Sequence, residues 1–270
     1  MQKLYKNLTN KKMCEYAHSK IFNDEYYTKR EEVSEIFEKV IGYDFLKDKI
    51  IYCPCDTDES EFVKYLKENK NIIQYKELIY TSDDFNTHID LIEYADLVIT
   101  NPPFSKIRQQ YFPLMLKHAK YFFFFHSVAK TYIYNGYDNL YIYRASRYNF
   151  ITPFLCNENK NEAYVNHIYL TNFKCNILNN HVYPKKTYNE IYNNKTPVYA
   201  HTNDGDYLNI DRLSDIPIDY DKPILVPLTV LYSYYRQYYD ILPFKCKILS
   251  YSDNRNRFVR ILVNKKSNSK

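Results

Sequence analysis

Short apolar segments alternate with amphipathic segments between residues 49 and 125, and this alternation most constrains the fold. Each apolar segment is long enough for a buried strand, and the intervening segments carry apolar residues at helical spacing. Strands that alternate with helices are typical of a largely parallel, doubly wound α/β sheet. The four predicted strands are Lys49–Cys53, Glu77–Tyr80, Asp96–Thr100 and Tyr121–Phe125.

A helix is predicted before the first strand. Asn23 or Asp24 is a suitable N-cap, and Gly42 is a natural C-terminal stop. Apolar residues between these points recur at the i, i+3, i+4, i+7 spacing of one helix face. The predicted buried face consists of Val33, Ile36, Phe37 and Val40.

After about residue 150 the pattern changes to long polar segments that contain few predicted elements. Asn166–Thr171 and Thr196–His201 are predicted strands, and Ile216–Pro223 is a proline-punctuated loop before another apolar run. The sequence therefore predicts a basic arm at residues 1–20, an α/β domain at 21–150 and a smaller C-terminal lobe at 151–270, with approximate boundaries.

Polar residues follow the predicted strands at the points where bound ligands are expected. Asp56, Asp84 and Asn101 each come just after a strand. In open α/β sheets, ligands bind outside the carboxyl ends of the strands. These positions therefore indicate an active site, although each acid also precedes a predicted helix and can serve as its N-cap.

The tetrapeptide Asn101-Pro102-Pro103-Phe104 is the strongest candidate for catalysis. Consecutive prolines fix φ and remove two backbone donors, which makes a stiff turn. The Asn101 side-chain oxygen and the Pro102 carbonyl can accept both hydrogens of an exocyclic amine, and Phe104 can stack on a base. The alternative is a Pro-Pro turn that caps the strand and places Phe104 in the core.

The charge distribution favours a polyanionic partner. The net charge is +5, and residues 241–270 contain eight basic residues against the single acid Asp253. The first twenty residues contain five lysines against Glu15. Basic ends are typical of nucleic-acid contacts, but they also occur as solvated tails.

Cysteine spacing and apolar run length exclude other classes of protein. Of six cysteines only Cys53 and Cys55 are close together, which favours buried thiols over a metal site or a disulfide framework. The longest apolar runs are too short to span a bilayer, and the N-terminus lacks the apolar segment of a secretory signal. We therefore expect a cytoplasmic protein without a membrane partner or a bound metal.

The sequence resembles the EcoRI-type adenine-specific DNA methyltransferases, a family of amino-methyltransferases that use S-adenosylmethionine. The resemblance includes a cysteine-containing first loop in place of a glycine-rich one, and the catalytic strand end. The matching segments are Asn23–Thr28, Tyr52–Asp56, Asp84-Phe85, Thr100–Ser105, Tyr169–Asn172, Asp215–Asp221 and Val226–Thr229.

The resemblance implies a Rossmann-like methyltransferase sheet followed by a target-recognition lobe. It implies adenine-N6 methylation at specific sites in double-stranded DNA, with the target base flipped into the Asn101–Phe104 pocket. A cognate restriction endonuclease in the same system is a further implied partner. The residues implied to bind S-adenosylmethionine are Tyr27, Thr28, Cys53, Pro54, Asp56, Asp84 and Phe85.

Three alternatives use the same residues differently. The hydrogen bonds expected of Asn101 can form with any exocyclic amine, so cytosine-N4 or RNA are possible substrates. A degenerate methyltransferase fold can bind nucleic acid without catalysis. A small-molecule or protein-glutamine methyltransferase can use the same tetrapeptide, although the basic C-terminal region argues against it.

Overall fold

The computed structural model describes residues 27–83, 85–128, 134, 137, 139–145, 149–151, 162–164, 166–176, 184–236, 238–243, 248–255 and 259–266. The predicted N-terminal arm, the predicted N-cap at Asn23 or Asp24, Asp84 and the Phe85 side chain lie outside this description. The chain divides into one unit formed by residues 1–128 and 137–177, and another formed by 129–136 and 178–270.

The described strands of the first unit build a six-stranded mixed sheet in the order β2-β1-β3-β4-β8-β5 and a separate β6-β7 pair. β1 to β4 pair in parallel, whereas β8 is antiparallel to both β4 and β5. The strands are β1 (Ile50–Pro54), β2 (Glu77–Thr81), β3 (Leu97–Thr100), β4 (Tyr121–Ser127), β5 (Tyr141–Arg144), β6 (Asn149–Ile151), β7 (Glu162–Tyr164) and β8 (His167–Thr171).

Helices separate the parallel strands along the chain, as the alternating pattern predicts. Two segments are π-helical: Ile36–Ile41, which continues α1, and Ile107–Tyr111, which leads into α7. The helices are α1 (Arg30–Glu35), α2 (Tyr43–Leu46), α3 (Glu61–Glu68), α4 (Lys70–Ile73), α5 (Ile89–Tyr94), α6 (Phe104–Lys106) and α7 (Phe112–His118).

The four strands predicted from the apolar pattern are confirmed as β1 to β4, and the mixed α/β class is confirmed with them. Both strands predicted after residue 150 are also present. Thr196–His201 overlaps the observed strand Tyr199–Thr202 of the second unit, whereas Asn166–Thr171 is β8 and lies inside the first sheet between β4 and β5. The sheet therefore continues past the approximate boundary at residue 150. Its antiparallel side makes it mixed instead of purely parallel.

The core of the first unit lies between this sheet and the N-terminal helix. All four predicted apolar residues, Val33, Ile36, Phe37 and Val40, are buried, which confirms that helix face. Four consecutive phenylalanines of β4, Phe122–Phe125, have no exposed surface. A strand buried on both faces is expected at the centre of a covered sheet, so these rings contribute apolar area to both sides.

Gly42 ends the π-helical segment in the left-handed region, with φ 85°. The side chain of Asn176 lies against this turn and donates to the Ile41 carbonyl oxygen at 3.3 Å. A Cβ atom at Gly42 would lie 2.7 Å from Asn176 Nδ2. The position therefore combines an unfavourable backbone conformation for an L-residue with a lack of space.

We predict that Gly42→Ala lowers the free energy of unfolding by about 2–3 kcal/mol, because left-handed backbone strain and overpacking add together. Gly205→Ala is the matched control, since Gly205 has φ 123° but no atom within 4 Å of the added Cβ. Its cost is limited to backbone strain, about 1–2 kcal/mol. Urea unfolding of both variants checks this, and an equal loss in the two would contradict a packing contribution at Gly42.

The second unit contains another mixed sheet, whose described strands have the order β12-β14-β11-β10-β9-β13. β10 and β11 are parallel, and the remaining pairs are antiparallel. Its elements are α8 (Tyr188–Tyr192), β9 (Tyr199–Thr202), β10 (Gly205–Asn209), β11 (Ile224–Pro227), α9 (Ser233–Arg236), β12 (Tyr239–Ile241), β13 (Ile248–Tyr251) and β14 (Arg260–Lys265).

Part of the basic C-terminal region is used inside this second unit. Arg260 donates from Nε to Asn209 Oδ1 at 2.9 Å and from Nη2 to Asp211 Oδ1 at 2.6 Å. Its side chain is only 9% exposed. Arg260 therefore stabilises the sheet. The predicted contact with a polyanion depends on the other basic residues. In the described part of the chain, no helix has the length and apolar character needed to cross a membrane.

Candidate active site

A cavity of about 550 Å³ opens in the first unit at the carboxyl ends of β1, β2 and β3. This volume lies within the usual range for small-molecule and cofactor sites. Residues from all three strand ends and from the segment before α1 form its wall. The lining includes Tyr27, Thr28, Cys55, Asp56, Glu59, Ser60, Glu61, Ser82, Asp83, Asn101, Pro103, Lys106, Tyr111 and Ile151.

Two hydrogen bonds hold these strand ends together. Thr100, which is fully buried at the end of β3, donates from Oγ1 to the Pro54 carbonyl oxygen at the end of β1, at 2.9 Å. The Asp56 amide donates to the Thr81 carbonyl oxygen at the end of β2, at 3.0 Å. The loops that follow β1 and β3 therefore have fixed relative positions, as a preorganised site requires.

The loop after β1 turns through Cys55, which takes the left-handed conformation at φ 64°. Such a conformation is uncommon for a residue with a side chain. It occurs here without a glycine, and it turns the chain so that Cys55 and Asp56 both line the cavity. The resemblance assigns donor contact to Cys53 and Pro54, but both are buried in β1, and Cys53 belongs to the hydrophobic core.

Asp56 faces the cavity and has an unusual protonation equilibrium. Burial raises the pKa of its carboxyl group to about 7, and a hydrogen bond with Ser60 opposes this shift in part. Desolvation disfavours the charged form of a carboxyl group, which is the direction observed. The Asp56 carboxyl therefore changes charge near neutral pH, and a cationic ligand in the cavity would favour its ionised form.

Asn101 projects into the same cavity from the end of β3, and its side chain is fixed on one side. Its Nδ2 atom donates to Thr28 Oγ1 at 3.2 Å. Thr28 is buried, and the residue before it pairs with β6 through hydrogen bonds from the Tyr27 amide to the Ile151 carbonyl and in return, at 2.8 and 2.9 Å. The structure thus brings together Asn101 and Asp56, which the sequence placed at the strand ends of one expected site, with Tyr27 and Thr28, which the resemblance assigned to the donor.

The other members of the tetrapeptide are placed differently. Pro103 lines the cavity, whereas Pro102 is buried behind it. The Phe104 ring is half-buried and packs against the hydrophobic core. Its centroid lies 5.9 Å from that of His126 in a T-shaped arrangement. Phe104 is therefore beside the cavity instead of in its described wall, and both the stacking role and the core alternative remain predictions.

Sequence reasoning missed several residues of the cavity. Glu59, Glu61 and Asp83 add carboxylates to its wall, and Lys106 adds an ammonium group. Glu59 pairs with Lys64 at 2.8 Å, and Glu61 lies 3.6 Å from Arg30. Lys106 comes two residues after the tetrapeptide, and this proximity was the one available signal for it. Among the residues that the structure describes, no group of three His, Cys, Asp or Glu side chains can hold a metal ion.

Comparison with known proteins gives the family. The profile of the family described as adenine-specific methyltransferase EcoRI matches residues 83–270. The chain belongs to this family. The matched range includes β3, the Asn101–Phe104 turn and the whole second sheet, so the membership applies to both units.

Two curated relatives extend the similarity towards the N-terminus. Type II methyltransferase M.MgeORF184P of Mycoplasma genitalium is 25% identical over 272 aligned positions, which cover 82% of this chain and 82% of that protein. Type II methyltransferase M.EcoRI of Escherichia coli is 24% identical over 306 positions, which cover 89% of this chain and 91% of that protein. The chain is comparable in length to both of these members of the EcoRI-type family.

Proposed function

We propose that the protein is a site-specific DNA adenine-N6 methyltransferase that uses S-adenosylmethionine and flips its target base into the Asn101–Phe104 pocket. The observation that carries the proposal is the meeting of Asn101 and Asp56 in one cavity at neighbouring strand ends. Membership of the EcoRI-type family supports it. The parallel β1–β4 portion of the first sheet supports the Rossmann-like character of this proposed catalytic domain.

The charged side chains that line the cavity fit S-adenosylmethionine. Four carboxyl groups and the ammonium of Lys106 are among its described lining groups. Glu59 and Glu61 are paired with Lys64 and Arg30, so Asp56 and Asp83 are the acids that favour a ligand with net positive charge over an anionic one. Asp56 can accept hydrogen bonds from ribose hydroxyls, as acidic residues do in nucleotide-binding α/β folds. S-adenosylmethionine supplies an electrophilic methyl group on a positively charged sulfur.

The role of the chain's own residues is to position the accepting amine. Asn101 Oδ1 and the Pro102 carbonyl oxygen accept its two hydrogens, and this draws the nitrogen lone pair out of conjugation. No activated nucleophile is required, so the rate enhancement comes from positioning and electrostatic preorganisation. Phe104 is proposed to stack on the flipped base, which requires its half-buried ring to expose one face.

Binding of the duplex is proposed to depend mainly on phosphate contacts made by the basic residues outside the cavity, with sequence read in a groove by the C-terminal part. Such binding weakens steeply with added salt because counterions are released on association. The acidic wall of the cavity does not serve this role. A cognate restriction endonuclease remains part of the proposal, as it is implied by the resemblance.

A methyl-transfer assay tests the proposed function. Purified protein is incubated with methyl-labelled S-adenosylmethionine and mixed-sequence duplex DNA, and the product is digested to nucleosides. We expect label in N6-methyladenine. Label in N4-methylcytosine, or transfer to RNA alone, would contradict the proposed substrate. Absence of donor binding by isothermal titration would contradict the enzyme proposal and favour a nucleic-acid-binding protein.

The Asp56 carboxyl gives a pH prediction for donor binding. Its pKa in the folded protein is about 7, so below that pH a proton must leave before the ionised form can bind the cationic donor. We expect the Kd for S-adenosylmethionine to be about tenfold higher at pH 6 than at pH 8 from this ionisation alone. Calorimetric titration across this range checks the prediction.

Asp56→Asn is the control for this pH dependence. The amide cannot ionise, so the variant should bind more weakly at pH 8 and lose the tenfold component. Ionisation of the donor itself affects both proteins equally, and the difference between the two profiles therefore reports Asp56. If the Kd for S-adenosylmethionine changed with pH in the same way in both proteins, ionisation of Asp56 would not be the cause of the change.

A further inference from the structure

The side-chain amide of Asn101 has two chemically different ends, and catalysis requires a particular one to face the substrate. The proposed function, on which this inference rests, needs Oδ1 to accept a hydrogen from the target amine. If the amide were rotated by a half-turn, Nδ2 would face the amine instead. Two donors would then oppose each other, and the hydrogen bond that polarises the amine would be lost.

Thr28 is the described residue that contacts the other end of this amide. Its Oγ1 accepts from Asn101 Nδ2 at 3.2 Å. A hydroxyl oxygen has two lone pairs, so it can accept this hydrogen bond while its own hydrogen is donated elsewhere. Nδ2 is directed at Thr28, and Oδ1 is therefore the end of the amide directed away from it.

Hydrogen bonds anchor the chain on both sides of Thr28. The preceding residue forms the two backbone hydrogen bonds to Ile151, and α1 begins two residues later at Arg30. Within α1, the buried Glu32 Oε1 atom accepts from the Tyr169 hydroxyl at 2.9 Å and lies 2.5 Å from His167 Nε2, both in β8. The Thr28 backbone is therefore tied to β6 on one side and, through Glu32, to β8 of the sheet that carries Asn101 on the other.

We propose that Thr28 is a positioning residue that holds the Asn101 amide at the cavity wall, with Oδ1 directed away from Thr28, through the hydrogen bond from Nδ2 to Oγ1. The resemblance implies contact between Thr28 and S-adenosylmethionine. In the structure the Thr28 oxygen accepts from Asn101, a contact that a hydroxyl can make while its hydrogen is donated to another group. The two roles differ in the kinetic parameter that they affect.

Thr28→Val tests this role because valine has nearly the shape of threonine and lacks the acceptor. We expect kcat to fall about tenfold, which is the loss of one ordinary hydrogen bond expressed as a rate. KM for S-adenosylmethionine should change less than about twofold. Thr28→Ser restores the hydroxyl and should recover most of kcat. A rise in KM for the donor at unchanged kcat would overturn the positioning role in favour of donor contact.

The Asn101→Ala background separates positioning of Asn101 from other effects. Alanine has no side-chain amide for Thr28 to hold. We expect Thr28→Val to lower kcat less than about threefold in this background, against about tenfold in the Asn101 protein. Equal losses in the two backgrounds would overturn the proposal, because Thr28 would then act independently of the amide.

An NMR measurement gives a readout that does not depend on turnover. The Nδ2 hydrogens of Asn101, labelled with ¹⁵N and assigned through Asn101→Asp, should exchange with solvent several times faster in Thr28→Val than in wild type. Unchanged exchange would contradict the hydrogen bond. The failures of the two proposals can be distinguished. If wild-type protein methylates DNA and Thr28→Val retains full kcat, only this inference is refuted. If wild-type protein transfers no methyl group, the proposed function is refuted.

Discussion

Replacing Asn101 by alanine is expected to lower kcat for methyl transfer by a factor on the order of 10²–10³, the usual loss when a preorganised polar contact to the reacting group is removed. The side chain lies at the end of β3 in the cavity wall, and its removal takes away an acceptor of the target amine. Binding of S-adenosylmethionine should stay within about twofold. Single-turnover kinetics and calorimetric titration measure these two quantities separately.

Asn101→Asp is the matched comparison, because aspartate keeps an acceptor oxygen at the same position. It should retain more activity than Asn101→Ala, and both variants should unfold at nearly the wild-type temperature since Asn101 is only half-buried. Near-normal turnover by Asn101→Ala would show that the amine is held by other groups. The site assignment based on the tetrapeptide would then be wrong.

Elements with strong local periodicity could be predicted from the sequence. The apolar face of α1 and the strands β1 to β4 follow from residue spacing within about ten positions, and these elements are where the sequence placed them. The turn after β3 was likewise predictable because two prolines fix the backbone. The general position of the cavity followed from the rule that ligands bind at the carboxyl ends of strands.

Features that depend on distant pairing could not be predicted in this way. β8 inserts between β4 and β5 because its backbone pairs with both, and no periodicity within β8 encodes those partners. The second unit was underestimated for a different reason. Its strands β9, β12 and β13 are partly exposed and lie between polar segments, so they lack the continuous apolar runs of β1 and β3.

The details of the site depended on conformations that residue type alone does not give. Both Cys53 and Cys55 were expected to be buried thiols, but the left-handed turn at Cys55 leaves Cys53 in the core and Cys55 in the cavity wall. The bond between Thr28 and Asn101 joins residues 73 positions apart. The sequence marked both residues for separate roles and gave no reason to place them in contact.

Replacement of Glu32 should destabilise the fold strongly. It lies on α1 with no exposed surface, and its Oε1 atom contacts His167 Nε2 and accepts from the Tyr169 hydroxyl, 135 and 137 positions away. Glu32→Ala is expected to lower the free energy of unfolding by about 3–5 kcal/mol, because removal of one partner leaves buried polar groups of the other without compensation. Urea unfolding followed by circular dichroism measures the loss.

Glu31→Ala is the matched control, since Glu31 precedes Glu32 in the same helix and is exposed. Its effect should stay within about 0.5 kcal/mol, as is usual for surface substitutions. Glu32→Gln should fall between the two, because the amide keeps an acceptor oxygen for one of the donors but loses the charge. A loss in Glu32→Ala no larger than that in Glu31→Ala would contradict the buried pair.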